Sequence, residues 1–143
     1  MFIKQLSVFV ENKPGRLAEI TSALGANDVD IRALSISDTR DFGILRLITD
    51  RPDEAEKVLK AAGYTVSLTQ VIAIGVEDKP GGLSKAMRVL LDNHISVDYM
   101  YAFLSKTEKP ASVILRVSDN DLAARVLREN GIKVLENEEV INI

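Results

Sequence analysis

The sequence predicts an α+β protein made of two tandem βαββαβ sandwiches with antiparallel sheets. The first observation is an octapeptide at residues 10–17 that recurs at residues 76–83, with Val-Glu-x-Lys-Pro-Gly-x-Leu in common. Each residue of the second copy lies 66 positions after its counterpart, since 76 − 10 and 83 − 17 give the same offset. The second observation is that alternating apolar segments and segments of helical periodicity follow each copy in the same order. The chain is therefore predicted to contain one supersecondary unit twice.

The first unit opens with a strand and a helix. Apolar and polar residues alternate over residues 2–10, which predicts a strand with one buried face. After the Pro-Gly turn, apolar residues recur at helical spacing over residues 17–24, and Gly25 stands where a helix C-cap is expected.

The rest of the first unit has two strands, a helix and a final strand. Acidic residues and Pro52 mark the start of the helix, and Gly63 marks its end. The predicted elements are a strand at 30–37, a turn at 38–41, a strand at 42–49, a helix from 52 to 62 and a strand at 64–68. The order is βαββαβ.

The second unit repeats this order with a longer turn between its middle strands. Its predicted elements are a strand at 72–76, a helix at 83–91, a strand at 95–104, a turn at 105–110, a strand at 111–117, a helix and a strand at 132–135. The last helix has its apolar face at residues 122, 126 and 127, and Gly131 marks its end. We expect residues 140–143 to add one more strand. Because residues 65–76 are nearly continuous β-prone sequence without a linker, we place the domains at residues 1–70 and 71–143.

Composition excludes several classes of function. Lys plus Arg number 18 and Asp plus Glu number 21, and this net charge of −3 argues against a nucleic-acid partner. The absence of cysteine excludes disulfides and thiolate chemistry. No apolar run approaches the roughly 20 residues that span a bilayer, and residues 1–5 lack the features of a signal peptide. We therefore expect a cytoplasmic protein with no membrane partner.

The repeated Pro-Gly loop is the predicted functional element. It joins a strand to a helix, and the first backbone N–H groups of a helix have no partner within the helix. Such a helix start suits an anion. The alternative is that the loops are only tight connections, since Pro and Gly are common in turns. Gly82 favours the ligand, because a second glycine at a helix start is easier to explain where a ligand approaches the backbone.

These residues resemble the ACT domain, a small-molecule-binding regulatory module of amino-acid metabolism. The loops at residues 12–17 and 78–83 carry the resemblance, together with the segments after the helices at residues 25–31 and 91–97. The resemblance covers nearly the whole chain as two ACT-like units and implies ferredoxin-like sandwiches. It also implies a free amino acid bound between adjacent units, by the loop of one unit and the start of the second strand of its neighbour.

The resemblance assigns a set of ligand-binding residues to each unit. In the first unit these are Asn12, Lys13, Pro14, Gly15, Arg16 and Leu17, with Asp28, Val29, Asp30 and Ile31. In the second unit they are Asp78, Lys79, Pro80, Gly81, Gly82 and Leu83, with His94, Ile95, Ser96 and Val97. Serine-sensing members usually have a histidine two residues before the loop asparagine and an asparagine early in the second strand. Here those positions are Val10 and Val76, then Asp30 and Ser96, which argues against serine.

The resemblance further implies a regulatory protein without catalytic residues, cofactor or metal, which forms a homodimer and acts on a metabolic enzyme. Two alternatives for the function stay open. In the first, the chain is a subunit that docks to an enzyme and has no ligand of its own. In the second, the chain is itself an enzyme, although it has a single histidine.

Two groups of residues can also be interpreted in two ways. His94 is either an exposed turn residue or a ligand contact. Tyr99, Tyr101 and Phe103 either cover the sheet face without helices or shape a pocket; an RNA-stacking face is disfavoured by the charge.

Overall fold

The computed structural model describes residues 2–38, 41–103 and 111–142. The chain divides into two compact units, one formed by Lys4–Thr69 and the other by Gln70–Ile143 together with Met1–Ile3. We call them the first unit and the second unit. The domain boundaries expected from the sequence, residues 1–70 and 71–143, remain a prediction.

The first unit has the predicted βαββαβ order. Its elements are β1 (Ile3–Glu11), α1 (Arg16–Ala26), β2 (Ile31–Asp38), β3 (Phe42–Thr49), α2 (Pro52–Ala61) and the beginning of β4 (Thr65–Val76). The strand order is β2-β3-β1-β4. β3 pairs antiparallel with both β1 and β2, and Leu45 stands opposite Val8 on one side and Ile36 on the other. The antiparallel sheet predicted from the sequence is therefore confirmed.

The core of the first unit lies between one face of the sheet and the two helices. Leu6, Val8 and Val10 alternate along β1 and are at most 3% exposed. They belong to one apolar cluster with Ile20 of α1 and Leu59 of α2. Each such fully buried side chain stabilises the fold by about 1.5–3 kcal/mol relative to an exposed one. Burial thus follows the period-2 pattern of the sequence.

β2 is the edge strand of the first unit and leaves apolar side chains in contact with solvent. Leu34 and Ile36 are opposite Leu47 and Leu45, so they lie on the helix-covered side of the sheet. They are nevertheless 39% and 50% exposed, while Ala33 on the opposite side is fully buried. The alternation of apolar and polar residues does not predict this exposure, because it shows which face of the sheet a side chain is on but not whether the strand is at the edge of the sheet.

The second unit repeats the topology. Its elements are the remainder of β4, α3 (Gly82–Asp92), β5 (Val97–Ala102), β6 (Ala111–Val117), α4 (Asn120–Glu129), β7 (Lys133–Val134) and α5 (Asn137–Ile141). The strands are ordered β5-β6-β4, and β7 pairs with the other side of β4. Ile74 stands opposite Val113 of β6 and Val134 of β7, both antiparallel. β4 is continuous from Thr65 to Val76, as the β-prone sequence predicts.

Two predicted boundaries are wrong by a few residues. Gly25 is not the C-cap of α1, because the helix continues to Ala26 and the left-handed residue is Asp28, with φ of 58°. The strand predicted from residue 95 begins at Val97, because the Ile95 N–H donates to the carbonyl of Leu90 at 2.9 Å and closes the helix end. Gly63 and Gly131 do end α2 and α4 with φ of 92° and 77°.

The strand predicted at residues 140–143 is also wrong. Residues Asn137–Ile141 form the short helix α5. The N–H of Glu136 donates to Oε2 of Glu139 at 2.7 Å, which satisfies a donor at the helix start, and Val140 is buried. Residues 39–40 of the turn predicted at 38–41 lie outside the described residues, as do the turn predicted at 105–110 and residue 143. No helix within the described residues is long and apolar enough to cross a bilayer.

Candidate functional site

The first Pro-Gly loop closes on itself through backbone hydrogen bonds. The Lys13 N–H donates to the Glu11 carbonyl at 2.8 Å, and the Glu19 N–H donates to the Gly15 carbonyl at 3.0 Å. Gly15 precedes α1 in the left-handed region, with φ of 89°. An L-residue pays about 1–2 kcal/mol there, so glycine is required by the turn itself.

The second loop has the same geometry. The Lys79 N–H donates to the Glu77 carbonyl at 2.9 Å, and the Lys85 N–H donates to the Gly81 carbonyl at 3.3 Å. Gly81 precedes α3 with φ of 86°. The sequence repeat is therefore accompanied by the same pattern of hydrogen bonds and the same left-handed glycine.

Neither helix that follows a Pro-Gly loop is capped by a side chain. Gly15 and Gly81 are the N-cap residues of α1 and α3, and no side-chain hydrogen bond caps either helix. The contrast is α4, where Oδ1 of Asp119 accepts the N–H of Leu122 at 3.0 Å. The starts of α1 and α3 therefore offer backbone donors at the positive ends of helix dipoles, a combination that suits a carboxylate.

The backbone of the second loop explains why residue 82 is glycine. A Cβ at this position would overlap the carbonyl oxygen of Glu77 and lie 3.0 Å from its carbonyl carbon. The Gly82 N–H also donates to the Lys79 carbonyl at 3.0 Å, whereas the equivalent bond from Arg16 to Lys13 in the first loop is 3.4 Å long. The close approach of the loop's own backbone explains this glycine without a ligand.

Ion pairs and one tyrosine surround the first loop. Nζ of Lys13 lies 2.8 Å from Oε2 of Glu11, and Nη1 of Arg16 lies 3.1 Å from Oε2 of Glu19. The Tyr64 hydroxyl donates to the same Glu19 oxygen at 2.8 Å. The hydrogen bond from Tyr64, and then that from Arg16, lowers the pKa of Glu19. The hydrogen bond from Lys13 lowers the pKa of Glu11.

The second loop carries a different set of charges. Nζ of Lys79 lies 2.6 Å from Oε2 of Glu77. Their hydrogen bond lowers the pKa of Glu77 and raises that of Lys79. At the positions 66 residues after Arg16 and Glu19 stand Gly82 and Lys85, so this loop lacks the arginine–glutamate pair.

Arg16 lines two cavities. The smaller, of about 90 Å³, brings together four predicted residues, Asn12, Lys13, Arg16 and Leu17, with Val10, Glu11, Ile36 and Gly43. The larger, of about 260 Å³, is lined by Arg16 with Phe9, Glu11, Glu19, Phe42, Ala62, Gly63, Tyr64 and Thr65.

Several lining residues were not predicted. Ile36 lies on β2 and Tyr64 in the turn between α2 and β4, so only the register of the sheet and the path of this turn bring them to the loop. Glu11 and Glu19 had a usable signal, since opposite charges near Arg16 in sequence at a helix start form ion pairs.

The segments after the helices have their own repeated geometry. Asp28 and His94, 66 positions apart, are both left-handed, with φ of 58° and 56°. The Asp30 N–H donates to Oδ1 of Asp50 at 2.9 Å, and at the equivalent place the Ser96 N–H donates to Oγ of Ser118 at 3.2 Å. His94 is exposed, as expected for a turn residue.

The structure does not bring the two predicted parts of the site together within a unit. α1 has 11 residues, which corresponds to about 16 Å of helix, and it separates the Pro-Gly loop from the segment that begins at Asp28. α3 does the same in the second unit. Val29 and Ile95 are core side chains at 5% and 7% exposure, so only their backbone groups are accessible to a ligand.

The aromatic residues of β5 lie side by side. The Tyr99 and Tyr101 rings stack with centroids 6.4 Å apart, and Phe103, which follows β5, is buried.

Within residues 2–38, 41–103 and 111–142, no group of three or more histidine, aspartate or glutamate residues is arranged to hold a metal ion.

Comparison with known proteins agrees with this architecture. A family model described as an ACT domain pair matches residues 1–143. The crystal structure of protein BT0572 from Bacteroides thetaiotaomicron is 36% identical, with a TM-score of 0.93, over 100% of this chain and 98% of that one. A comparison with curated protein sequences found no match.

More distant structures share the fold. The regulatory subunit of aspartate kinase from Thermus thermophilus is 15% identical, with a TM-score of 0.66, over 91% of this chain and 93% of that one. The corresponding subunit from Thermus flavus is 14% identical, with a TM-score of 0.62, over 92% and 94%. Because one family model spans the whole chain, and because each unit has the fold and the Pro-Gly loop described above, this protein belongs to the ACT domain pair family.

Proposed function

We propose that this protein is a non-catalytic sensor that binds a free amino acid at its Pro-Gly loops and regulates amino-acid metabolism. The observation that carries the proposal is the repeated helix start. Both α1 and α3 begin at a left-handed glycine and lack a side-chain cap. Two loops of the same conformation thus present unused backbone donors to an anion of carboxylate size.

The surroundings of the first loop supply groups for the rest of an amino acid. The amide oxygen of Asn12 is an acceptor for the ammonium group, and the carboxylate of Asp78 has the equivalent place in the second loop. Leu17 and Ile36 give the cavity of about 90 Å³ beside the first loop an apolar wall. Carboxylate, ammonium and side chain would each have a complementary group.

A complete site requires a neighbouring ACT unit. An amino acid is much shorter than the ~16 Å of α1, so it cannot contact both the loop and the Asp30 segment of one unit. We place the missing segment on a second copy of the chain, which makes the functional form a homodimer. A ligand held between copies then shifts their arrangement to the extent that it binds one arrangement more tightly.

The regulatory part of the proposal rests on family membership and on the printed descriptions of structures that share the fold. Two of them are regulatory subunits of aspartate kinase. We extend only the general role to this chain: a cytoplasmic subunit whose ligand changes the activity of a metabolic enzyme partner.

The test is a thermal-shift screen of the twenty amino acids at millimolar concentration. A ligand at 100 times its Kd stabilises the folded state by about 2.7 kcal/mol, so a binder raises the Tm measurably. Absence of stabilisation by all twenty would overturn the sensor proposal. Co-purification of an enzyme in that case would favour the alternative of a docking subunit without a ligand.

Variants can then locate the site at the helix starts. Leu17→Pro and Leu83→Pro remove one backbone donor each in the first turn, where proline is tolerated. We expect them to weaken binding of the amino acid found in the screen. Leu17→Ala and Leu83→Ala keep the N–H groups and are the matched controls, since both leucines are partly exposed. Equal loss in the alanine and proline variants would contradict binding by the backbone donors.

A further inference from the structure

The second unit contains a cavity that is separate from the Pro-Gly loops. It has a volume of about 360 Å³ and lies between α4 and the strands β4 and β7. This volume falls at the lower end of the range of about 300–1,000 Å³ that is typical of ligand sites. We call it the α4 cavity.

The shortness of β7 accounts for the α4 cavity. β7 has two residues, and its pairing with β4 ends where the Leu135 N–H donates to the Ala73 carbonyl at 2.8 Å. The chain then turns into α5, so the space beside α4 is not filled by a full-length fourth strand. Phe2 packs against the core of this unit and borders the space.

The walls of the α4 cavity differ in chemistry. One wall is apolar and includes Phe2, Ile72, Val134 and Leu135. The other wall is α4, whose residues Asp121, Ala124, Arg125, Arg128 and Glu129 follow the i, i+3, i+4, i+7, i+8 spacing of a single helix face. A ligand there has to combine an apolar body with charged groups.

The charged wall offers both signs to a ligand. Arg128 is engaged, because its Nη2 lies 3.0 Å from Oε1 of Glu136. Arg125 has only a long contact, with its Nε 4.0 Å from Oε1 of Glu129. Asp121, one helical turn before Arg125, has no hydrogen bond or ion pair with any residue in the part of the chain that the structure describes. A weakly paired cation and a carboxylate without a partner among the described residues thus stand next to each other beside an apolar surface.

We propose that the α4 cavity is a second small-molecule site, which takes a zwitterion with an apolar side chain. The carboxylate pairs with Arg125, the ammonium group pairs with Asp121, and the apolar body contacts Ile72 and Val134. The site is independent of the Pro-Gly loops: it uses neither their glycines nor the starts of α1 and α3.

Leucine and three of its fragments test each part of this proposal. 4-Methylpentanoate lacks the ammonium group, 3-methylbutylamine lacks the carboxylate, and glycine lacks the apolar body. Each is titrated into the ¹⁵N-labelled full chain, and amide shifts report the place and the affinity of binding. We expect leucine to shift the amides of Ala124, Val134 and Phe2. The two fragments that lack one charge should bind up to about fivefold more weakly, as for partly exposed charge pairs, and glycine should bind more weakly because it lacks the apolar contact.

Two variants and one control complete the design. Arg125→Gln is expected to weaken leucine binding about fivefold and to leave 3-methylbutylamine unchanged, because only the carboxylate contact is lost. Ala124→Leu fills the cavity and is expected to abolish all shifts there. Arg88→Gln on α3, which is exposed and does not line the cavity, should change nothing. Shifts confined to the loop amides, no saturable binding, or an unchanged leucine affinity in Arg125→Gln would overturn the proposal.

Discussion

Gly82→Ala tests whether the second loop needs glycine for its own backbone. A Cβ at residue 82 would overlap the carbonyl oxygen of Glu77, and that oxygen already accepts the N–H of Lys79 at 2.9 Å. The neighbour is backbone rather than a flexible side chain, so relief requires a shift of the whole turn. We therefore expect destabilisation without any ligand present.

The magnitude follows from three contributions. Overpacking costs about 1–3 kcal/mol, and a weakened Gly82-to-Lys79 hydrogen bond costs about 0.5–1.5 kcal/mol. Replacing glycine by alanine in a helix returns up to about 1 kcal/mol. The net expectation is a loss of about 0.5–4.5 kcal/mol in the free energy of unfolding, measured by urea denaturation followed by circular dichroism.

Gly25→Ala is the matched control, because Gly25 is also helical and nothing lies within 4 Å of its added Cβ. We expect it to stabilise the chain by about 0.5–1 kcal/mol. If Gly82→Ala were as stable as the parent, or if it matched Gly25→Ala, the backbone explanation would fail. A glycine kept for the approach of a ligand would then be the better account.

Three further predictions concern single hydrogen bonds. Tyr64→Phe should raise the pKa of Glu19, because the tyrosine hydroxyl is the largest cause of its lowering. The readout is a ¹³C titration of the carboxyl group, and a smaller change in Tyr64→Phe than in Arg16→Gln would contradict the assignment. A glutamate whose pKa is lowered by folding stabilises the fold at pH values above its pKa in the unfolded chain. The stability that Glu19 contributes should therefore be lost as the pH falls through its pKa in the folded protein, and this loss should be smaller in Tyr64→Phe. Asp119→Ala should destabilise the second unit by about 1 kcal/mol in urea denaturation, because it removes the cap of α4; Asp78→Ala, in an exposed loop, is its control. Asp50→Ala should speed hydrogen exchange at the Asp30 amide, which now donates to Oδ1 of Asp50 at 2.9 Å, and should leave the Ser96 amide unchanged. If Asp50→Ala accelerated exchange equally at both amides, the effect of the substitution would not be local.

The sequence was sufficient for the topology because the fold is encoded in local patterns. The period-2 burial of β1 and the left-handed glycines 15, 63, 81 and 131 are properties of short segments, and each could be read from its neighbours in sequence. The duplication supports each prediction, because the same residue pattern occurs at equivalent positions in both units.

What the sequence missed depends on contacts between distant segments or on local competition. Tyr64 and Glu19 are 45 positions apart, and no local sequence pattern indicates that the residue after Gly63 contacts the first loop. The exposure of Ile36 depends on β2 being an edge strand. In the tail, the apolar residues at 140–143 suggested a strand, but the Glu136–Glu139 hydrogen bond starts a helix there. Local capping chemistry outweighed β propensity.

The two loops share a backbone but have diverged around it, and this bears on how a ligand would be discriminated. In the first unit, Arg16 and Glu19 form an ion pair that Tyr64 extends. In the second unit the equivalent positions are Gly82 and Lys85, and the residue that follows Gly131, as Tyr64 follows Gly63, is Ile132.

If the proposed function is correct, both loops would hold the same carboxylate, because the two helix starts share their backbone donors. The side chain of such a ligand would, however, lie beside the ion-paired Arg16 at the first loop and near Lys85 at the second. Two sites built on one loop are therefore expected to differ in selectivity, and a ligand with an acidic side chain should distinguish them best. Titration of the Leu17 and Leu83 amides with aspartate and with asparagine would measure this difference in one sample, and equal affinities at both loops for both ligands would contradict it.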